Sequence, residues 1–290
     1  MIKCSLRRAS FLAAFLALAG IAHAQSAPPS APPPASAGGS NASADPDTDL
    51  AKQTENPIAD LISVPFNNYS TFNFGPNGQG RGTLDVLEIQ PVIPIHLTPD
   101  WNLITRTVLP VVWTPDLSPV PSVPVGIAPT DFSAILTPKK EINGWLWGVG
   151  PVIQIPTISS SDLGSSVWGA GPTAIIVYTG DKIVGGALVN AIWSFGGTKG
   201  PFGNSYNTSL FEPFINYNFG QGWFVYSDPN ITANWQAKGT KWTVPLGAGG
   251  GRIVHVGKLP IKLNAGLFYN VAQPTYGGRW VLNAQLTMIF

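Results

Sequence analysis

Residues 87–113 read LEIQPVIPIHLTPDWNLITRTVLPVVW, and the order of polar and apolar residues in this stretch decides the fold. Leu87, Ile89, Pro91, Ile93, Ile95 and Leu97 alternate with Glu88, Gln90, Val92, Pro94 and His96. After the turn Thr98-Pro99-Asp100, a second segment puts Trp101, Leu103, Thr105, Thr107, Leu109, Val111 and Trp113 on one face, with Asn102 and Arg106 opposed. A period of two sends successive side chains to opposite faces of a strand. One face suits hydrocarbon and the other water. A tryptophan at each end of the second segment places an aromatic ring at both boundaries of an apolar layer.

The same pattern recurs along the chain. Trp145, Trp147, Val149, Ile153 and Ile155 repeat it, as do Phe211, Ile215, Tyr217 and Phe219 opposite Glu212, Asn216 and Asn218. Strand centres are expected near Tyr69, Ile89, Leu109, Ala134, Gly150, Pro172, Leu188, Pro213, Pro229, Leu246, Leu263 and Ala284, which makes about twelve. An even number returns both ends of a barrel to one side of the membrane. Turns near Thr98, Lys140, Gly180 and Gly220 read as short. The connections at 75–82, 114–130, 158–166 and 196–205 read as longer, and the longer set is expected outside the cell. The connections near Ala237 and Tyr276 are shorter and fit this alternation less well.

Composition supports the same conclusion. Only 11% of the residues are charged, against 44% hydrophobic, with ten tryptophans, 32 glycines and 28 prolines. Soluble domains carry about 25% charge. Beyond the first two dozen residues no apolar run is long enough for a transmembrane helix. A closed barrel is then the remaining way to satisfy every backbone group in hydrocarbon. The fold expected is an all-β, antiparallel, up-and-down transmembrane barrel over residues 57–290. Proline within strands, at 91, 110, 151, 172, 213, 229 and 245, is the main objection, because each removes a ladder donor. Bulges are expected there, and a soluble β-sandwich is the alternative.

The N-terminus carries Lys3, Arg7 and Arg8, an apolar run from Ala9 to Ala22, and Ala22-His23-Ala24 before Gln25. This is a secretory signal pattern, with residues 1–24 expected to be removed. Residues 25–56 are rich in Pro, Ala and Ser and poor in large apolar side chains, so a disordered periplasmic leader is expected. The only cysteine, Cys4, lies in the signal. Removing the signal leaves thirteen basic against fifteen acidic residues, about −2 in net charge, which gives no reason to expect a nucleic acid as partner.

The last strand, from Trp280 to Phe290, alternates and stops on an aromatic residue. Such an ending looks like the sorting signal read by the outer-membrane β-barrel assembly machinery, which is an expected partner together with outer-membrane lipid. The stretches NFGPNGQGRG, LEIQPVIPIHLTPDWNLITRTVLPVVW, LWGVGPVIQIPT, WGAGPTAIIVYTG, EPFINYNFGQGW and WTVPLGAGGGRI resemble an outer-membrane family. That family is described as similar to the meta-pathway phenol-degradation protein, and its members are often labelled transporters. The resemblance covers nearly everything after Pro57. It implies a cell-outer-membrane barrel and passive or substrate-biased uptake of small solutes, hydrophobic or aromatic ones among them. It supplies no catalytic residues. The long leader and the Pro/Val-rich loop at 114–130 depart from it.

Alternation assigns Glu88, Asn102, Arg106, Glu212, Asn216, Asp228 and Lys262 to the lumen, with further amides such as Gln90, Gln154 and Asn218. Amides outnumber charges, so weak charge selection is expected if the lumen conducts. If instead these side chains satisfy one another, the interior is filled, and the chain is a structural or surface-interaction barrel without transport. Glu88 and Arg106 on adjacent strands form a candidate constriction pair, with Glu212 a third member.

An enzymatic barrel would need a serine beside a histidine. His23 leaves with the signal, and His96 and His255 fall near periplasmic turns with no serine placed beside them, so no catalytic residue is expected. Nor is a metal or cofactor, since the carboxylates are scattered and GAGGGR at 247–252 lacks the ending of a phosphate loop. Trp145 and Trp147 read as interface anchors before they read as a stacking site for an aromatic solute.

Overall fold

A computed structural model describes residues 45–76, 80, 82–115, 125–160, 163–197 and 205–290. The expected signal and residues 25–44 of the expected leader lie outside them. Twelve antiparallel strands form the wall: β1 (Ser63–Pro76), β2 (Gly82–Ile89 and Val92–His96), β3 (Trp101–Trp113), β4 (Thr130–Pro138), β5 (Trp145–Ile155), β6 (Val167–Thr179), β7 (Ile183–Gly197), β8 (Asn207–Gly220), β9 (Trp223–Ser227 and Ile231–Asn234), β10 (Trp242–Val256), β11 (Leu259–Ala272) and β12 (Trp280–Ile289). Each strand pairs with its neighbours in sequence. β12 returns to β1 from Ser63↔Ile289 to Phe72↔Trp280, closing the barrel. Every expected strand centre falls in its own stave except Pro229, which lies in the break between the two pieces of β9. Two short bridges, Gly126–Ile127 on β3 and Tyr276–Gly277 on β1, extend the rim.

The prolines act locally. β2 breaks at Gln90-Pro91 and β9 at Asp228-Pro229-Asn230. The β4–β5 ladder passes from Ser133↔Val152 to Leu136↔Val149, skipping Pro151. The β6–β7 ladder skips Pro172 in the same way, and a register shift falls at Val244/Pro245. Pro110 and Pro213 keep register. A missing N–H opens one contact in a ladder without parting staves that are held along their whole length.

The outer wall is apolar, with Ile176, Val189, Ile215, Leu246 and Leu267 each 43–56% exposed. Aromatic pairs ring both ends. Trp101–Trp147, Trp145–Tyr178 and Tyr217–Phe219 stand near the hairpin turns at one end, and Trp235–Trp242 and Tyr269–Trp280 stand at the other. Two aromatic belts around an apolar band are the signature of a barrel in lipid. Among the described residues no helix is long and apolar enough to cross a membrane.

Connections alternate in length all the way round. Asn143-Gly144 and Gln221-Gly222 have positive φ at both residues, as a type I′ hairpin requires. The β10–β11 turn is Gly257-Lys258 alone. On the opposite rim, residues 235–241 and 273–279 are longer than that turn, so the two connections that fitted the sequence pattern poorly obey it after all.

The leader differs from expectation. Residues 46–55, placed in a disordered segment, form a helix, α1 (Pro46–Glu55). Asp45 caps it, accepting from the Asp47 N–H at 3.3 Å and the Thr48 hydroxyl at 2.7 Å. Pro46 opens the first turn, Asp47 and Asp49 lie at the positive end of the helix dipole, and Lys52 lies at the negative end. Asn56 turns the chain, its Oδ1 accepting from the Ile58 N–H at 3.1 Å. Local signals begin and end this helix, but its stability comes from burial of Ala51 and, beyond its end, Ile58, at 0% and 2% exposure.

Candidate functional site in the barrel lumen

Inward side chains form two apolar sectors, and residues 45–62 lie between them. Ile58 packs with Ile104, Ile135, Leu146, Ile175, Val177 and neighbours from β3 to β8. Ala51 packs with Phe224, Tyr226, Ile253, Phe268 and Ile289 from β9 to β12, with Leu50 and Leu61 alongside. The segment therefore fills the hairpin-side half of the lumen. An amide-lined lumen throughout does not describe this half, because alternation assigns a face without saying what covers it.

Polar contacts fix the plug to the hairpin rim. The Gln221 N–H donates to the Asp45 carboxylate. The Gly222 N–H points at Thr48 Oγ1 at 3.5 Å, and Asn218 Nδ2 donates to Glu55 Oε2 at 3.2 Å. His96 Nε2 lies 2.8 Å from Asp60 Oδ1, and His255 Nε2 lies 3.7 Å from Asp47 Oδ1. Both histidines thus face plug carboxylates at the rim.

Glu55 is 5% exposed. Burial raises its carboxyl above the ordinary value, opposed by the charge of Lys262 and by the Asn218 hydrogen bond. A carboxyl raised in the docked state favours docking below its undocked pKa, and that contribution is lost as pH rises through the docked value. Open probability is expected to rise from pH 4.5 to pH 7.5 in planar-bilayer recordings, with a shallower dependence in Glu55→Gln. An unchanged slope in that variant would remove Glu55 as the group responsible.

Above the plug lies a charged network. Arg106 on β3 donates through Nη2 to Gln90 Oε1 at 2.9 Å, and its Nη1 stands 3.6 Å from Glu212 Oε2 on β8. Gln90 Nε2 in turn donates to Glu88 Oε2 at 2.6 Å. The expected direct Glu88–Arg106 pair is replaced by this relay. The register sets Arg106 opposite Val92 and Glu88 opposite Pro110, so Gln90 lies between the two charges. Elsewhere Gln154 donates to Asp131 at 2.9 Å, Tyr226 donates to Asn283 at 3.0 Å, and the Lys262 ammonium sits 4.8 Å from the Phe224 ring centre.

Plug and network line a cavity of about 120 Å³, large enough for several waters. Of the candidates taken from sequence, Arg106, Glu212, Asn216, Asp228 and Lys262 line it. Glu88 stands behind Gln90, and Asn102 is packed into the wall at 3% exposure. Sequence reading missed Glu55, Asn67, Tyr69 and Tyr226, which also line the cavity. Extending alternation through β1 and β9 would have found the last three. Arg106→Met is expected to lower unfolding stability by about 1–3 kcal/mol, by leaving Glu212 without its partner. Urea unfolding in detergent measures it, and an unchanged midpoint would mean the pair is not coupled to the fold.

No protein-family model matches the chain, and no curated protein does. Among solved structures, an outer-membrane channel of Pseudomonas putida F1 is 17% identical, covering 79% of this chain and 95% of that one, with a TM-score of 0.62. The chain has the fold of an outer-membrane β-barrel channel. A FadL homologue of Pseudomonas aeruginosa (10% identity, 81% and 90% covered, TM-score 0.40) and the outer-membrane phospholipase A of Escherichia coli (12%, 80% and 93%, TM-score 0.38) superpose less well.

Proposed function

We propose that this barrel resides in the outer membrane and admits small solutes by passive or substrate-biased diffusion, with residues 45–62 as a resident plug on the periplasmic side. The observation that carries the reading is the polar cavity. A barrel serving only as an anchor has no need for Arg106, Glu212, Asp228 and Lys262 around a polar cavity in its interior. Short hairpins mark the plugged rim as periplasmic. The C-terminal strand ending at Phe290 serves as the signal to the assembly machinery. Catalysis is not part of this reading, since His96 and His255 face plug aspartates rather than serines.

In the wall, inward carboxyls (Glu88, Asp131, Glu212, Asp228) outnumber the inward basic groups Arg106 and Lys262 among the described residues. Acidic linings favour cations. Zero-current potentials under a salt gradient test the proposal: openings that select potassium over chloride support it, and anion selectivity or silence after confirmed insertion would overturn it.

A further inference from the structure

The two rims of the barrel differ in charge. On the hairpin rim both signs stand side by side, as in Lys140-Glu141 and Asp181-Lys182. On the opposite rim, the charged side chains of the described connections are Lys238, Lys241 and Arg279, all basic and all exposed. They sit on two neighbouring connections, residues 235–241 between β9 and β10 and residues 273–279 between β11 and β12. Among the described residues none of the three forms an ion pair with a carboxylate. The nearest outward carboxylate along the described wall, Asp85 on β2, accepts from Ser70 at 2.6 Å and is separated from β12 by β1.

Two of the three cations are anchored in the aromatic belt. The Lys241 ammonium lies 6.0 Å from the centre of the Trp235 ring, and Trp235 packs edge-on against Trp242. Arg279 donates through Nη1 to the Tyr269 hydroxyl at 2.9 Å, and Tyr269 packs against Trp280. Belt aromatics mark the depth of the lipid head groups. Both cations are therefore held at that depth, and both keep further N–H donors for a ligand. Only β11 separates β10 from β12, so the two stand roughly 10 Å apart around the rim at one strand spacing per step.

We infer that the sector from β9 to β12 on the long-connection rim binds a lipid of the outer leaflet through phosphate on its head group. Phosphate oxygens accept from guanidinium and ammonium groups in charge-assisted hydrogen bonds. Basic groups at head-group depth attract anionic lipids. An acidic protein would meet Lys238 at the tip of its connection first, whereas Lys241 and Arg279 lie down on the belt. The site rests on the outer-membrane reading, with the hairpin rim facing the periplasm.

Full-length protein in detergent, titrated with diphosphoryl lipid A or its dephosphorylated form and read by native mass spectrometry, tests the site without any current. The phosphorylated lipid is expected to bind roughly twenty-fivefold more tightly, about fivefold for each belt cation. Lys241→Gln/Arg279→Gln is expected to abolish that preference, and Lys140→Gln/Lys258→Gln on the hairpin rim to keep it. Heat-modifiable gel mobility confirms that each variant is folded. Equal binding of the two lipids by the unaltered protein would overturn the proposal. So would a preference that survives Lys241→Gln/Arg279→Gln, or one lost equally in both double variants. Displacement by inorganic phosphate at the lipid's own concentration would also overturn it, leaving a general anion site. Conductance without this preference would remove the lipid site and leave the channel. The preference in a silent barrel would leave the site and remove the channel.

Discussion

Deletion of residues 45–60 is expected to raise the conductance of the refolded barrel on the order of tenfold or more, because the hairpin-side half of the lumen is then open to water. The wall should survive the loss. Each of its twelve strands is paired on both sides, and the seam runs from Ser63↔Ile289 to Phe72↔Trp280 without help from the plug. What the deletion exposes is the apolar lining that Ile58 and Ala51 cover, Ile104, Ile175 and Val177 on one side and Phe224 and Ile253 on the other. Circular dichroism should stay strand-rich and gel mobility heat-modifiable. Planar-bilayer recording of deleted and full-length protein checks the expectation. Equal conductance in the two would mean that the plug does not obstruct the pore, or that the barrel is closed elsewhere and serves as a structural or surface-interaction protein.

The second large effect concerns the outer wall. Val189→Arg is expected to destabilise the inserted barrel by about 2–4 kcal/mol, the range for a cation on the lipid face near the bilayer midplane. Val189 is 43% exposed on β7, between outward positions of Ala174 and Phe211 on the adjoining staves. Trp193 stands further along the same face, toward the far belt, and Ile183 lies at the hairpin end. Reversible urea unfolding in lipid vesicles gives the number. A change near zero would place this face away from hydrocarbon.

The barrel was legible because its determinants are local. Trp101 to Trp113 shows face, length and both interfacial anchors within one strand, and Trp145 to Ile153 and Phe211 to Phe219 show them again. The prolines read correctly as points of irregularity at Pro91, Pro151, Pro172, Pro229 and Pro245, whereas Pro110 and Pro213 keep register.

The interior was less legible, and for a physical reason. The Arg106–Glu212 contact joins β3 to β8, staves that are not neighbours, and reaches across the lumen. No strand register reveals a contact of that kind. The plug was missed because its helix carries few apolar residues of its own. Asp45, Pro46 and the acidic first turn were readable as a helix start, but the burial that stabilises the helix is provided by the barrel wall.

A disulfide between plug and rim tests the resident plug most directly. The position a Cβ would take at Gly222 lies 3.2 Å from the Asp47 Cβ, a little inside the roughly 3.5–4.5 Å that a disulfide spans, and its φ of 72° is of the kind that Gln221 beside it adopts with a side chain. The variant Asp47→Cys/Gly222→Cys, with Cys4→Ser to remove the only native thiol, fixes residues 47–62 at both ends, since Ser63 begins β1. Single-channel recording of this protein, oxidised and then reduced on the same membrane, is the decisive measurement. The expected result is a silent oxidised barrel that opens when reductant is added. Identical currents before and after reduction, with the disulfide confirmed by mass, would contradict a plug that must leave the lumen for solutes to pass.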